Sequence, residues 1–295
     1  MSEVNIDALL PAEMATRAEY LGVRKAEMPA LKMFMLAVLA GAFISLGAIF
    51  ATTIAAGGMS VAAPDGEVAF TTGLPYGVTR LLTGLVFSLG LILVVVGGAE
   101  LFTGNNMIVM AWASKKVSTY LLLKNWGIVY VGNFVGALGT ALLMFMSKQY
   151  TFGSNAVGIA ALKIAAGKVD LGFWQAVALG ILCNALVCLA VWMTYSARST
   201  MDKIVAIIFP ITAFVAAGFE HSIANMYFIP YALFITGFDP EFIASVGAKV
   251  PGLEKLTWSA FFMNNLIPVT LGNIVGGAVL VAAAYWTIFL RNKDK

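Results

Sequence analysis

Gly218-Phe219-Glu220-His221-Ser222-Ile223-Ala224-Asn225 lies near the middle of an apolar segment running from about residue 203 to 236. No Lys or Arg occurs between Ile204 and Ala248, and His221 is the chain's one histidine. A carboxylate and an imidazole at bilayer depth are expensive unless they are paired, hydrated or used. Histidine also changes charge most readily near neutral pH. This stretch therefore predicts a membrane protein whose polar centre handles protons or anions.

The composition around it agrees. Apolar residues make up 60% of the chain and charged residues 11%, against about 25% charged in a soluble domain. The net charge of +3 comes from dispersed basic loops with no basic stripe, which excludes a nucleic-acid surface. Cys183 and Cys188 have no metal-ligand neighbours in sequence and read as packing residues, so neither a metal nor a cofactor is expected. The first ~30 residues lack the apolar core of a cleavable signal, so insertion is expected to start at the first membrane segment.

Hydropathy predicts six spans, near 31–57, 80–113, 120–147, 172–197, 203–236 and 257–290. Leu9, Leu10, Met14, Ala18 and Leu21 recur at helical spacing ahead of them, which predicts an amphipathic interfacial or partner-packing helix. The organisation expected is a cytoplasmic N-terminal helix over 1–30, a six-span membrane domain over 31–290, and a cytoplasmic tail over 291–295. Of the 18 basic residues, 12 fall in the N-terminus, the 113–124 and 196–203 turns and the C-terminus. The positive-inside rule then places both termini in the cytoplasm. The 148–168 loop, with three lysines, runs against that rule. All six tryptophans fall near span ends, where interfacial anchors belong.

The second and fifth spans are each about 34 residues. As continuous helices they would measure ~50 Å against a hydrocarbon core of ~30 Å. Each carries a glycine-rich polar interruption: Gly97-Gly98-Ala99-Glu100-Leu101-Phe102-Thr103-Gly104-Asn105-Asn106 in one and the opening stretch in the other. Irregular backbone at membrane depth survives only where protein or a water-filled cavity satisfies it. The interruptions also match each other, Gly98-Ala99-Glu100 with Gly218-Phe219-Glu220. Gly132-Asn133-Phe134-Val135-Gly136 matches Gly272-Asn273-Ile274-Val275-Gly276, and more weakly Ala37–Gly41 matches Ala176–Gly180. Spans 1–3 and 4–6 thus read as one unit used twice. Three is odd, so the second copy is inverted, which is a signature of pores and transporters. The fold expected is an all-α membrane protein of two inverted three-helix repeats with spans 2 and 5 broken.

Three motifs carry a family resemblance: Gly98-Ala99-Glu100-Leu101-Phe102-Thr103-Gly104, Gly218 to Met226, and Asn265-Leu266-Ile267-Pro268-Val269-Thr270-Leu271-Gly272-Asn273-Ile274. With them the chain resembles the formate/nitrite transporter family over nearly its whole length, most closely the formate channel branch. The resemblance implies a homopentamer with an aquaporin-like pore in every protomer, passing formate and other small monovalent anions across a bacterial inner membrane. It implies a central pore histidine at His221 with Thr103 as its hydrogen-bonding partner. It also implies apolar constrictions at Leu91, Leu101 and Phe214, with Phe87 and Phe102 lining nearby. Asn184 and Asn273 become polar pore groups, Lys168 an anion-attracting charge, and the N-terminal segment a gating element.

The residues support a mechanism in which the anion crosses an apolar constriction with a proton from His221. A free imidazole near pH ~6.5 and a small carboxylic acid near ~3.7 differ by about three units, or ~4 kcal/mol against transfer. Glu100 and Glu220 read as acceptors for helix-end N–H groups at the breaks. Nitrite or hydrosulfide remain alternative anions, and a proton-coupled transporter an alternative to a channel. A water or polyol channel lacks support because no Asn-Pro-Ala signature occurs. An intramembrane hydrolase is disfavoured because Ser222 and His221 are adjacent, no Gly-x-Ser-x-Gly elbow is present, and neighbours on a helix point about 100° apart.

Overall fold

The computed structural model describes residues 8–57, 59–62 and 68–291. Helix α1 (Pro11–Ala26) precedes the first span, α2 (Ala30–Ala55). A two-stranded antiparallel hairpin, β1 (Met59–Ala62) with β2 (Val68–Thr72), leads into α3 (Tyr76–Gly97). After a break, α4 (Phe102–Asn105), a 3₁₀ turn at Asn106–Ile108 and α5 (Val109–Ala113) complete the second span. Then follow α6 (Thr119–Met146), α7 (Ala156–Val169), α8 (Phe173–Ser196) and α9 (Thr200–Ala217). Beyond a second break come α10 (Ser222–Phe238), α11 (Pro240–Val246) and the last span, α12 (Trp258–Phe289). Six of these helices are long and apolar enough to cross a bilayer, so the molecule is a multi-pass membrane protein. The small hairpin is an extramembrane addition to the all-helical fold. Of the tail expected over 291–295, residues 292–295 lie outside the described residues, as do residues 1–7 of the N-terminal helix expected over 1–30.

Both breaks are built alike. Helix α3 ends on Gly98 at φ 73° and α9 on Gly218 at φ 78°, the left-handed conformation that stops a helix and that glycine adopts without penalty. An extended stretch follows, and a new helix starts at Phe102 or Ser222. Arg80, near the start of α3, donates to the carbonyls of Val215 and Ala216, satisfying the end of the antiparallel α9.

The repeat is visible in the contacts. A methyl group on Gly136 would run into the Val38 carbonyl, and one on Gly276 into that of Ile181. The Glu100 N–H donates to the Leu36 carbonyl (3.2 Å) and the Glu220 N–H to that of Leu179 (3.3 Å). Leu36 therefore corresponds to Leu179 and Ala37 to Gly180. This corrects the weak pairing of Ala37–Gly41 with Ala176–Gly180, which was four residues out of register.

The 148–168 loop is also corrected, since α7 fills most of it. Val157, Ala161, Leu162, Ala165 and Val169 form a buried helical stripe, and α7 packs against α10. It is the counterpart of α1, whose buried face of Met14, Ala15, Ala18 and Gly22 packs on α5 and the 3₁₀ turn before it. Each repeat thus holds three spans and a leading helix, each leader with a lysine next to its last residue.

Candidate functional site

Two matching polar clusters sit at the two breaks. In the first, Lys25 Nζ of α1 lies 2.7 Å from Glu100 Oε1 and 3.0 Å from Asn105 Oδ1. Asn105 Nδ2 donates to Glu100 Oε2 (2.7 Å) and Asn125 Oδ1 (2.9 Å), while Asn125 donates back to the Lys25 carbonyl (3.1 Å). In the second, Lys168 Nζ of α7 lies 2.7 Å from Glu220 Oε1. Asn225 Nδ2 donates to Glu220 Oε2 and Asn265 Oδ1, both at 2.7 Å, and Asn265 donates to the Lys168 carbonyl (2.9 Å). Each carboxylate is buried, and each is held by a lysine and amide donors, the arrangement that makes a buried charge tolerable. Lys168 also lies 5.5 Å from the Phe228 ring centroid.

Behind each cluster one asparagine closes the broken backbone. Asn133 Nδ2 donates to the carbonyls of Ala37 (2.8 Å) and Glu100 (2.9 Å), and its Oδ1 accepts from the Phe102 N–H (2.9 Å). Asn273 does the same with Gly180 (2.8 Å), Glu220 (3.0 Å) and the Ser222 N–H (2.9 Å). At each break one carbonyl and one N–H that the helix no longer pairs are thereby satisfied by a side chain.

Where Leu101 occupies the first break, His221 occupies the second. Its Nδ1 accepts from the Ala224 N–H (3.1 Å), which assigns the proton of the neutral ring to Nε2. Nε2 lies 3.0 Å from Thr103 Oγ1, and the ring stacks on Phe214 with centroids 5.9 Å apart. Both ring nitrogens are thus engaged, and Ser222 Oγ has no partner among the described residues. A serine nucleophile activated by this histidine is not assembled.

Two cavities approach this centre from opposite ends of α2. One of about 670 Å³ is lined by Lys25, Lys32, Glu100, Leu91 and Leu101 among others. The other, about 290 Å³, is lined by Arg80, Lys168, Glu220, His221, Phe87 and Phe214 among others. Phe87 and Phe214 meet edge to face at 5.7 Å. Phe87 and Leu91 are one turn apart on α3, so the apolar wall between the cavities is about 6 Å thick there.

Most residues expected at the site therefore converge: His221, Thr103, Lys168, Glu220, Leu91, Leu101, Phe87 and Phe214. Thr103 joins the site through His221 without lining either cavity, and three others line neither. Phe102 turns away to pack against Trp126 and Tyr130, with ring centroids 5.9 and 4.9 Å away. Asn273 is consumed in bracing the break, and Asn184 Nδ2 donates to the carbonyls of Asn273 (2.7 Å) and Thr103 (3.3 Å). Their amides face backbone, because the breaks leave carbonyls that only buried donors reach. The sequence reading missed Lys25, Asn105, Asn125, Asn225 and Asn265. Their common signal is repeat spacing: Asn105 and Asn225 each follow a glutamate by five, and Asn125 and Asn265 each precede a brace asparagine by eight.

The formate/nitrite transporter family model matches residues 12–287. The formate channel FocA of Escherichia coli (strain K12) is 48% identical over 289 residues, covering 98% of this chain and 97% of that protein. Formate channel FocA of Haemophilus influenzae is 40% identical over 275 residues, covering 93% and 92%. Among solved structures, one described as a pentameric formate channel with formate bound superposes with a TM-score of 0.77 at 46% identity. It covers 89% of this chain and 98% of its own.

Proposed function

The chain belongs to the formate/nitrite transporter family, and on that premise we propose that it is a formate channel. We read it as a channel rather than an enzyme, passing other small monovalent anions less selectively. It assembles as a homopentamer with one pore per protomer, in the inner membrane of a bacterium, with both termini cytoplasmic. Residues 1–30 form its cytoplasmic leading segment and 31–290 its pore domain. The similarity to formate channels supports the cargo, and the distribution of Lys and Arg supports the orientation.

In this reading the anion enters a cavity whose wall carries a lysine, Lys25 at one end or Lys168 at the other. Positive side chains in a low-dielectric funnel raise the local anion concentration. The wall of Leu91, Leu101, Phe87 and Phe214 then opposes a bare carboxylate, whose desolvation is prohibitive, far more than a neutral acid. His221 must first take up a proton; the imidazolium then gives the proton on Nε2 to the anion and returns to the neutral ring, while Thr103 holds that nitrogen in place. Asn184 acts one step back, by positioning the Thr103 backbone. The observation that carries the reading is the contact of His221 Nε2 with Thr103 Oγ1 beside that wall.

Formate uptake into proteoliposomes tests it, with and without an inward proton gradient, in the native chain and His221→Asn. Gradient-driven uptake is expected to disappear in the variant while ionic formate current persists. Unchanged gradient-driven uptake in the variant would remove the proton relay, and no formate flux in the native chain would remove formate as the cargo.

A further inference from the structure

A third cavity, about 300 Å³, lies apart from the pore where α5 and α12 end beside α1. Glu19, Ser114, Lys115, Lys116, Trp286 and Arg291 line it. Lys116 Nζ is matched by Glu19 at 2.5 Å. Among the described residues, Lys115 and Arg291 have no acidic partner, and both are exposed. The cavity therefore presents, among the described residues, two positive charges without a carboxylate beside them. Trp286 Nε1 donates to Ser114 Oγ (2.9 Å), fixing the indole at the cavity wall. Both membrane-crossing segments end here, so the cavity stands at the level where hydrocarbon gives way to headgroups.

The backbone gives a second, independent observation. The end of α5 closes with the Lys116 N–H on the Ala111 carbonyl and the Lys115 N–H on that of Trp112, both at 2.9 Å. This closure needs a left-handed residue, normally glycine, yet Lys115 fills it at φ 60°. The chain holds a costlier backbone conformation at the position that aims a cation at this cavity.

We propose that this cavity binds the phosphodiester headgroup of an anionic glycerophospholipid, with Lys115 and Arg291 holding the phosphate and Trp286 bordering the glycerol. Its chemistry is that of basic pockets between membrane helices that take acidic lipids. The lipid also borders α1 through Glu19, so its occupancy bears on how α1 is held.

The test is native mass spectrometry of the purified full chain with added phosphatidylglycerol or phosphatidylcholine, paired with thermal scans in the same lipids. Native protein is expected to retain phosphatidylglycerol preferentially, with retention falling about five-fold per charge removed in Lys115→Gln and Arg291→Gln. Lys115→Gly separates charge from folding. It relieves the backbone, so it is expected to be at least as stable as native in detergent, yet to lose part of the phosphatidylglycerol-dependent rise in Tm. Equal retention by native and variants overturns the proposal. So does equal stabilisation by inorganic phosphate, which would make this a free-phosphate site. A changed subunit number in the charge variants also overturns it, since the cavity would then be a contact between copies of the chain.

Discussion

Asn133 and Asn273 each replace two backbone partners that a continuous helix would have supplied and tie the break to a neighbouring helix through a third contact. Truncating Asn273 to alanine leaves the Glu220 carbonyl and the Ser222 N–H buried without this partner, so a loss of about 2 kcal/mol or more is expected. A thermal scan in detergent reads it as a clear fall in Tm. The lysine–glutamate pairs behave differently, because removing one partner strands the other. Lys25→Met is expected to destabilise by about 3 kcal/mol, and Lys25→Met with Glu100→Gln to recover part of that, measured as a double-mutant cycle. His221 and Glu220 were legible because charge and histidine at bilayer depth announce themselves, whereas Thr103 came only from the family resemblance. The direction in which an asparagine amide points does not. A polar group beside a pore and a brace behind it look alike in one dimension, which is why Asn184 and Asn273 were expected at the pore wall.

Helix–helix approach is set by glycines at matching positions in α6 and α12. Gly136→Ala and Gly276→Ala each drive a methyl into a facing carbonyl and are expected to cost about 1–3 kcal/mol. Gly139→Ala, where a methyl meets nothing within 4 Å, is expected to be neutral or to gain up to ~1 kcal/mol of helix propensity. Thermal midpoints of the three variants distinguish these outcomes. The start of α11 carries a pH dependence. Asp239 accepts from the Tyr150 hydroxyl (2.6 Å) and the Phe242 N–H (2.9 Å), which hold its carboxyl below the usual carboxylate range. Burial, and then Asp239 itself, push the Tyr150 hydroxyl up to about 12. The stability from Asp239 is present above the unfolded carboxylate value of ~4 and lost as pH falls through its lower folded value. That from Tyr150 is present below the unfolded phenol value of ~10 and lost as pH climbs to about 12. Both losses are expected to flatten in Tyr150→Phe, read from Tm against pH. At this scale the six spans and both breaks were legible from hydropathy and glycine. Helix α7 was not, because Lys163 and Lys168 broke its apolar window and made fourteen ordered residues look like a charged loop.

The whole molecule is a bilayer-facing shell around two half-pores. Leu143, Met146 and Phe209 are all more than two-thirds exposed, a surface that only lipid tails or neighbouring subunits would cover. Native mass spectrometry is expected to find five copies of the 31.3-kDa chain, and a monomer would remove the pentamer. That number was not legible in the physics of the sequence, since no heptad or charge pattern specifies it. The inverted repeat was, through the paired motifs, although the register of its first helices was found only from the contacts. A unit inserted once upright and once upside down makes a scaffold with no top or bottom of its own. Lysine, glutamate and both amides recur in each half, and only at Leu101 and His221 do the two breaks exchange a hydrocarbon for an imidazole. His221 opens to the smaller cavity and not the larger, so in the proposed relay protons are expected to reach it from that side. A near-palindromic frame thus acquires a polarity where its two breaks differ, at Leu101 and His221 and at Thr103 and Ile223, and its two entrances are chemically unlike.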